Sequence, residues 1–139
     1  MAAYNKFNSF VEDVAEKVHN LQTDVLKIML TNAAPVASNT VKANLTDIGA
    51  GFGYTAGGTA VTITASSQTA GVYSLVGSNV VFTAAGGTIG PFRYAAIYND
   101  TQTAPAKPLI AWWDYGSALT LNDTETFTVS FGASILTLT

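Results

Sequence analysis

Residues Phe92–Asn99 read F-R-Y-A-A-I-Y-N, and Leu109–Tyr115 read L-I-A-W-W-D-Y. Strict alternation in the first puts Phe92, Tyr94, Ala96 and Tyr98 on one face of a strand and Arg93, Ala95, Ile97 and Asn99 on the other. The second stretch is apolar on both faces, as expected of a strand covered on two sides. Trp112 and Trp113 are adjacent, so on a strand they face opposite sides and each indole needs a cover of its own. The core supplies one. The other is supplied by the rest of the chain, by a neighbouring subunit, or by a stacked sugar ring.

Further strands are read outward from this pair. Asp24–Thr31 (D-V-L-K-I-M-L-T) is apolar with Lys27 facing out, and Thr59–Ala65 (T-A-V-T-I-T-A) sets Val61 and Ile63 against threonines. Ser66–Gly71 reads as a turn. Val72–Val76 and Asn79–Ala84 read as a hairpin around Gly77-Ser78. Thr126–Phe131 alternates Phe127, Val129 and Phe131 with Thr and Ser, and Ile135–Leu138 closes the chain. Short strands with turn signals at roughly ten-residue spacing predict a mainly β, antiparallel, jelly-roll-like β-sandwich. Apolar positions 7, 10, 11, 14, 18 and 21 favour an amphipathic helix over Phe7–Leu21, capped by Asn8 or Ser9, although its β-branched valines also suit a strand. The expected organisation is a single β-sandwich domain over 1–139, with an N-terminal helix or arm (1–22) and a β-body (23–139).

Composition narrows the function. With 139 residues, the chain is large enough for a core without staples, and size scaling gives a folded surface of about 6,900 Å². It has no cysteine and one histidine, His19, which excludes thiol catalysis, cysteine-ligated zinc and multi-histidine metal sites. Six basic residues and a net charge of −3 cannot form a stripe that tracks phosphates, so no nucleic-acid partner is expected. No apolar run is long enough to span a membrane, and M-A-A-Y-N-K-F-N-S-F lacks the apolar core of a signal peptide. From Ile48 to Phe92 there are 45 consecutive residues without Asp, Glu, Lys, Arg or His. Hydroxyls can keep such a surface wet, but interfaces too are depleted of Asp, Glu and Lys, so other subunits are a second natural cover.

Motifs for chemistry are weak. Gly49, Gly51 and Gly53 neither follow a clear strand nor open a helix, which makes them a β-bend rather than a nucleotide loop. Glu12, Asp13 and Glu16 read as a solvated helix face, and His19 as a surface or loop residue. Asp100–Thr103 and Asn122–Glu125 lack calcium-loop spacing and suit turns. The sequon matches at Asn44, Asn99 and Asn122 are chance in a Thr-rich chain. Arg93, the only arginine, can pair with Asp100 or Asp114, or bind a carboxylate on another chain. No enzyme, cofactor, metal or small-molecule substrate is expected.

Four stretches carry a likeness: V-H-N-L-Q-T-D-V-L-K-I-M-L-T-N-A-A-P (Val18–Pro35), F-R-Y-A-A-I-Y-N-D from Phe92, P-L-I-A-W-W-D-Y-G (Pro108–Gly116) and L-T-L-N-D-T-E-T-F-T-V-S-F (Leu119–Phe131). On these stretches the chain resembles, over about half its length, small structural proteins of tailed bacteriophages, above all capsid decoration (cement) proteins. The resemblance implies a jelly-roll-like fold and many copies on the virion, at the capsid surface, after assembly in the host cytoplasm. It implies the major capsid protein and further copies of the chain itself, as a dimer or trimer, as partners. The alternative is a tail or fibre component that binds a host-surface glycan on Trp112 or Trp113 and Tyr115. The candidate contact residues are Tyr4, Phe7, Phe10, Arg93, Trp112, Trp113 and Tyr115.

Overall fold

The computed structural model describes residues 2–139. Ten strands, one short helix and one 3-10 turn follow in the order β1 (Asn5–Lys6), α1 (Ser9–Ala15), β2 (Leu26–Thr31), the turn (Lys42–Asn44), β3 (Thr59–Ala60), β4 (Ile63–Thr69), β5 (Val72–Gly77), β6 (Val80–Thr83), β7 (Ile89–Asn99), β8 (Leu109–Leu121), β9 (Thr126–Val129) and β10 (Leu136–Leu138). The fold is mainly β and the strand pairs are antiparallel, as expected. A five-stranded sheet has the order β1-β8-β7-β2-β3; a three-stranded sheet is β10-β5-β4, and β6-β9 form a ribbon. The layering is compatible with a jelly roll. The accessible surface is 6,969 Å², close to the size-scaling value.

Both faces of the main sheet are buried. Leu26, Ile28 and Leu30 of β2, Ala95 and Ile97 of β7 and Ile110 of β8 pack with Leu75, Val80, Phe82, Val129 and Leu136 of the two smaller sheets. On the opposite face Met29, Ala96, Tyr98 and Leu109 form a smaller cluster with Phe7, against which Leu45 and Trp112 pack. Trp113 packs on the larger cluster, so the two indoles do face opposite layers.

Several local expectations are corrected. The helix covers Ser9–Ala15, not Phe7–Leu21; Asn8 is its N-cap but makes no side-chain capping bond, and the chain leaves the helix at Lys17, with φ 67°. The N-terminus is not a free arm. β1 pairs with β8 (Asn5 with Trp112, Lys6 with Ala111), and the Phe7 N–H donates to the Ile110 carbonyl at 3.1 Å.

Thr59–Ala65 is not one strand. β3 pairs with β2, and after Val61 and Thr62 the chain crosses to β4 in the other layer. β3 is entered at Gly58, φ +86°, where a Cβ would lie 1.8 Å from the Ile28 carbonyl oxygen, so only glycine fits.

Val72–Ala84 is not a hairpin either. The tight turn comes earlier, at Ala70-Gly71, where both residues have positive φ, and it joins β4 to β5. β5 then pairs with β10, while β6 pairs with β9. Phe92 joins Ala95 and Ile97 in the larger cluster rather than Tyr94 and Ala96, because the β7–β8 register shifts between Phe92 and Tyr94.

His19 is the largest departure: its side chain is fully buried. Asn99, also buried, donates through Nδ2 to His19 Nδ1 (3.0 Å) and to Asp24 Oδ2 (2.7 Å). Asp24 Oδ2 also accepts from the Asn20 N–H (2.9 Å) and from Gln102 Nε2 (2.9 Å). Asp13 Oδ2 lies 4.0 Å from His19 Nε2 without a hydrogen bond. Burial, partly opposed by Asp24, pulls the imidazole pKa down to about 4. Burial and neighbouring Glu12 raise Asp13. Burial works to raise Asp24 too, but its hydrogen bonds and His19 outweigh that and lower it.

The signs fix the pH window. The unfolded chain binds a proton at His19 more readily than the folded one, so that stability is full above pH 6.5 and is lost as pH falls toward about 4. Asp24 adds a loss below its ordinary carboxyl range, and Asp13 acts in the opposite direction, favouring the folded state when protonated. We expect urea stability to fall by on the order of 2 kcal/mol between pH 7 and pH 4, after allowance for screening. His19→Gln should be less stable at pH 7 and have a flatter acid slope; an unchanged slope would contradict the assignment to His19.

Candidate functional site: an aromatic slot between the main sheet and the ribbon

β8 runs past the end of its edge partner. β1 covers Ala111 and Trp112 only. Beyond them Tyr94 pairs with Asp114 and Phe92 with Leu119, so Arg93 alone stands opposite Tyr115–Ala118. This wide bulge, with Gly116 at φ +106°, is held by Asp114. Its Oδ1 accepts from the Gly116 N–H at 2.8 Å and from Arg93 Nε at 2.8 Å, and its Oδ2 accepts from Arg93 Nη2 at 3.0 Å. The fork-to-fork pair lowers the Asp114 pKa and raises that of Arg93. Bulges re-aim side chains; here Tyr115 is 53% exposed and stands edge-on to Phe127 of β9, with ring centroids 5.7 Å apart.

The result is a slot of about 280 Å³ between the main sheet and the ribbon. Trp113, Tyr115 and Phe127 are its aromatic walls, Ala95 and Val129 contribute aliphatic surface, and Arg93 and Ser130 are among its polar lining. Trp113 is fixed by Phe131 at 5.8 Å and by Tyr4 at 5.9 Å. Tyr4 is 39% exposed, and burial of the rest pushes its phenol up to about 12. The volume is at the lower end for a ligand pocket, about 300–1,000 Å³, and suits one or two inserted side chains.

Four of the seven candidate contact residues therefore meet: Tyr4, Arg93, Trp113 and Tyr115. Arg93 takes the internal partner, Asp114. The other three do not join them. Phe7 and Phe10 are fully buried, which corrects their assignment as contact residues; they anchor the N-terminal segment to the body. Trp112 packs on Phe7 at 4.6 Å on the far face. Phe127, a slot wall, is not among the candidate residues, because alternation marks it only as strand interior. Among the described residues no group of His, Asp and Glu is placed to hold a metal ion, and no helix is long and apolar enough to cross a membrane. No protein-family model, no curated protein and no solved structure matches this chain.

Partial burial separates the two walls energetically. Trp113→Ala is expected to cost roughly 3 kcal/mol of stability, as for a large core truncation. Tyr115→Ala should cost less than about 1 kcal/mol, as for a surface change. Equal losses in urea denaturation would show Tyr115 to be a packing residue rather than a presented one.

Proposed function

We propose that this chain is a structural virion protein, a decoration protein bound to the outside of a tailed-phage capsid, where it bridges and stabilises major capsid protein subunits. The observation that carries this reading is the aromatic slot, a concave and nearly uncharged patch on the β-body, which suits insertion of a side chain from a neighbouring subunit of an assembly, whether another copy or a different protein. The likeness of Val18–Pro35, Phe92–Asp100, Pro108–Gly116 and Leu119–Phe131 to cement proteins points to a capsid as that assembly. The 45-residue run without charge agrees with surface that becomes covered in an assembly. No step of this role requires a reacting group, and it proceeds by burial of apolar area, with a stable contact needing on the order of 1,200–2,000 Å² in total.

A second reading has one observation in its favour. An exposed Tyr115 beside the Arg93–Asp114 pair offers both a stacking ring and hydrogen-bonding groups, which suits a tail or fibre protein that holds a sugar.

Quantitative mass spectrometry of purified virions tests the main reading: hundreds of copies per particle are expected, and a few copies per particle would refute it. Removing the first ten residues is a poor probe, since it deletes the buried Phe7 and Phe10. Tyr4→Ser is expected to fold and to weaken capsid attachment several-fold in a co-sedimentation assay. Unchanged host adsorption by phage carrying Tyr115→Ala would count against the glycan reading.

A further inference from the structure

Phe52 has an unusual combination of properties. It sits at φ +55°, in the left-handed region that bulky side chains rarely occupy, and it is 56% exposed. A strained, solvent-facing phenylalanine gives the fold neither a favourable backbone nor a filled core, and such outliers cluster where a protein makes contacts. The strain is firmly held. Gly51 and Tyr54 exchange both backbone hydrogen bonds, at 2.8 and 3.1 Å, which makes Phe52-Gly53 the tip of a tight turn. The Phe52 carbonyl accepts from the Ala85 N–H at 2.9 Å. Tyr54 roots the turn in the core, donating to Asp47 and accepting from the Leu30 N–H at 3.0 Å. The Phe52 ring lies on Gly87, where a Cβ would come within 2.5 Å of it. One side of the ring is thus supported and the ring is presented rather than mobile, which cuts the entropy lost on binding.

We propose that Phe52 is a knob that inserts into the Trp113–Tyr115–Phe127 slot of a second copy of this chain. The electrostatics fit. The slot's cation, Arg93, is neutralised by Asp114 in a bidentate pair, so the slot favours an uncharged occupant. The Phe52 turn lies within the 45-residue run that carries no charge, so the occupant brings no ion of its own to be desolvated. The slot volume of about 280 Å³ accommodates a phenyl ring, with aromatic walls for edge-to-face packing. Phe52 is not among the slot's own lining residues, so a contact between the two joins separate molecules.

Sedimentation velocity across a dilution series tests this in the purified full chain. The wild-type protein should self-associate with rising concentration. Phe52→Ser should weaken association tenfold or more, and so should Tyr115→Ser and, as an independent rim change, Ser130→Arg. All three should keep the wild-type circular dichroism spectrum. Mixing Phe52→Ser with Tyr115→Ser should restore a heterodimer that grows no further, because one intact knob and one intact slot remain. A wild type that stays monomeric at all concentrations, a Phe52→Ser protein that associates like wild type, or a mixture that stays monomeric would each overturn the proposal. Copy number in virions is read independently, so failure here leaves the capsid role standing.

Discussion

The central constraint is that the main sheet is apolar on both faces. A sheet of that kind cannot leave either side in water, and the rest of the chain is distributed accordingly. The two small sheets cover the face that carries Leu26, Ile28, Leu30, Ala95 and Ile97. The N-terminal segment and the loop around Leu45 cover the face that carries Met29, Ala96 and Tyr98. Phe7 is therefore a piece of core held near the start of the chain. The buried polar network of His19, Asp24, Asn99 and Gln102 ties the loop after α1 to the end of β7. Buried polar groups in such a position are tolerable because nearly every one is hydrogen-bonded.

The slot follows from the same constraint, incompletely met. The ribbon covers the main sheet up to Phe127 and Val129, while the bulge at Tyr115–Ala118 swings β8 away from β7. Apolar surface is left at the seam, walled by aromatic rings whose own packing is settled by Phe131, Phe92 and Tyr4. A preformed, rigid concavity is what side-chain recognition requires, since little ordering is then needed on binding.

The parts legible in the sequence were those governed by alternation. The strands around Ile97 and Ile110, and the opposed indoles of Trp112 and Trp113, follow from period-two patterning alone. Partner choice did not follow. Val72–Val76 and Val80–Thr83 are each plainly strands, yet β5 meets β4 and β10 while β6 meets β9, and Gly77 between them lies so close to distant residues that a Cβ would come within 2.8 Å of Ile135 and 2.9 Å of Val61. No local pattern records that distant contact. Phe92 changed faces because of a register shift, which alternation cannot express. The helix was over-extended because Phe7 belongs to one layer and Phe10 and Leu21 to another, although their spacing suits one helical face. His19 looked exposed because burial of a lone imidazole depends on Asn99, 80 positions away. For Phe52 the available signal is a large ring flanked by Gly51 and Gly53 in G-A-G-F-G-Y, two neighbours that permit a sharp turn.

Four of the six cations of this chain are spent on its own acids. Asp100 binds Lys27 at 3.0 Å and Lys107 at 2.7 Å, Lys42 approaches Asp47 at 3.9 Å, and Arg93 clasps Asp114. Little positive charge is left to face outward, and the remaining excess is a net −3 of acid. Approach to an uncharged partner surface then proceeds by undirected diffusion at an ordinary rate, about 10⁵–10⁶ M⁻¹s⁻¹, without long-range guidance. A body of this kind docks there equally fast in dilute buffer and in brine, and a slow rate of departure, not a quick arrival, must supply whatever tenacity it has.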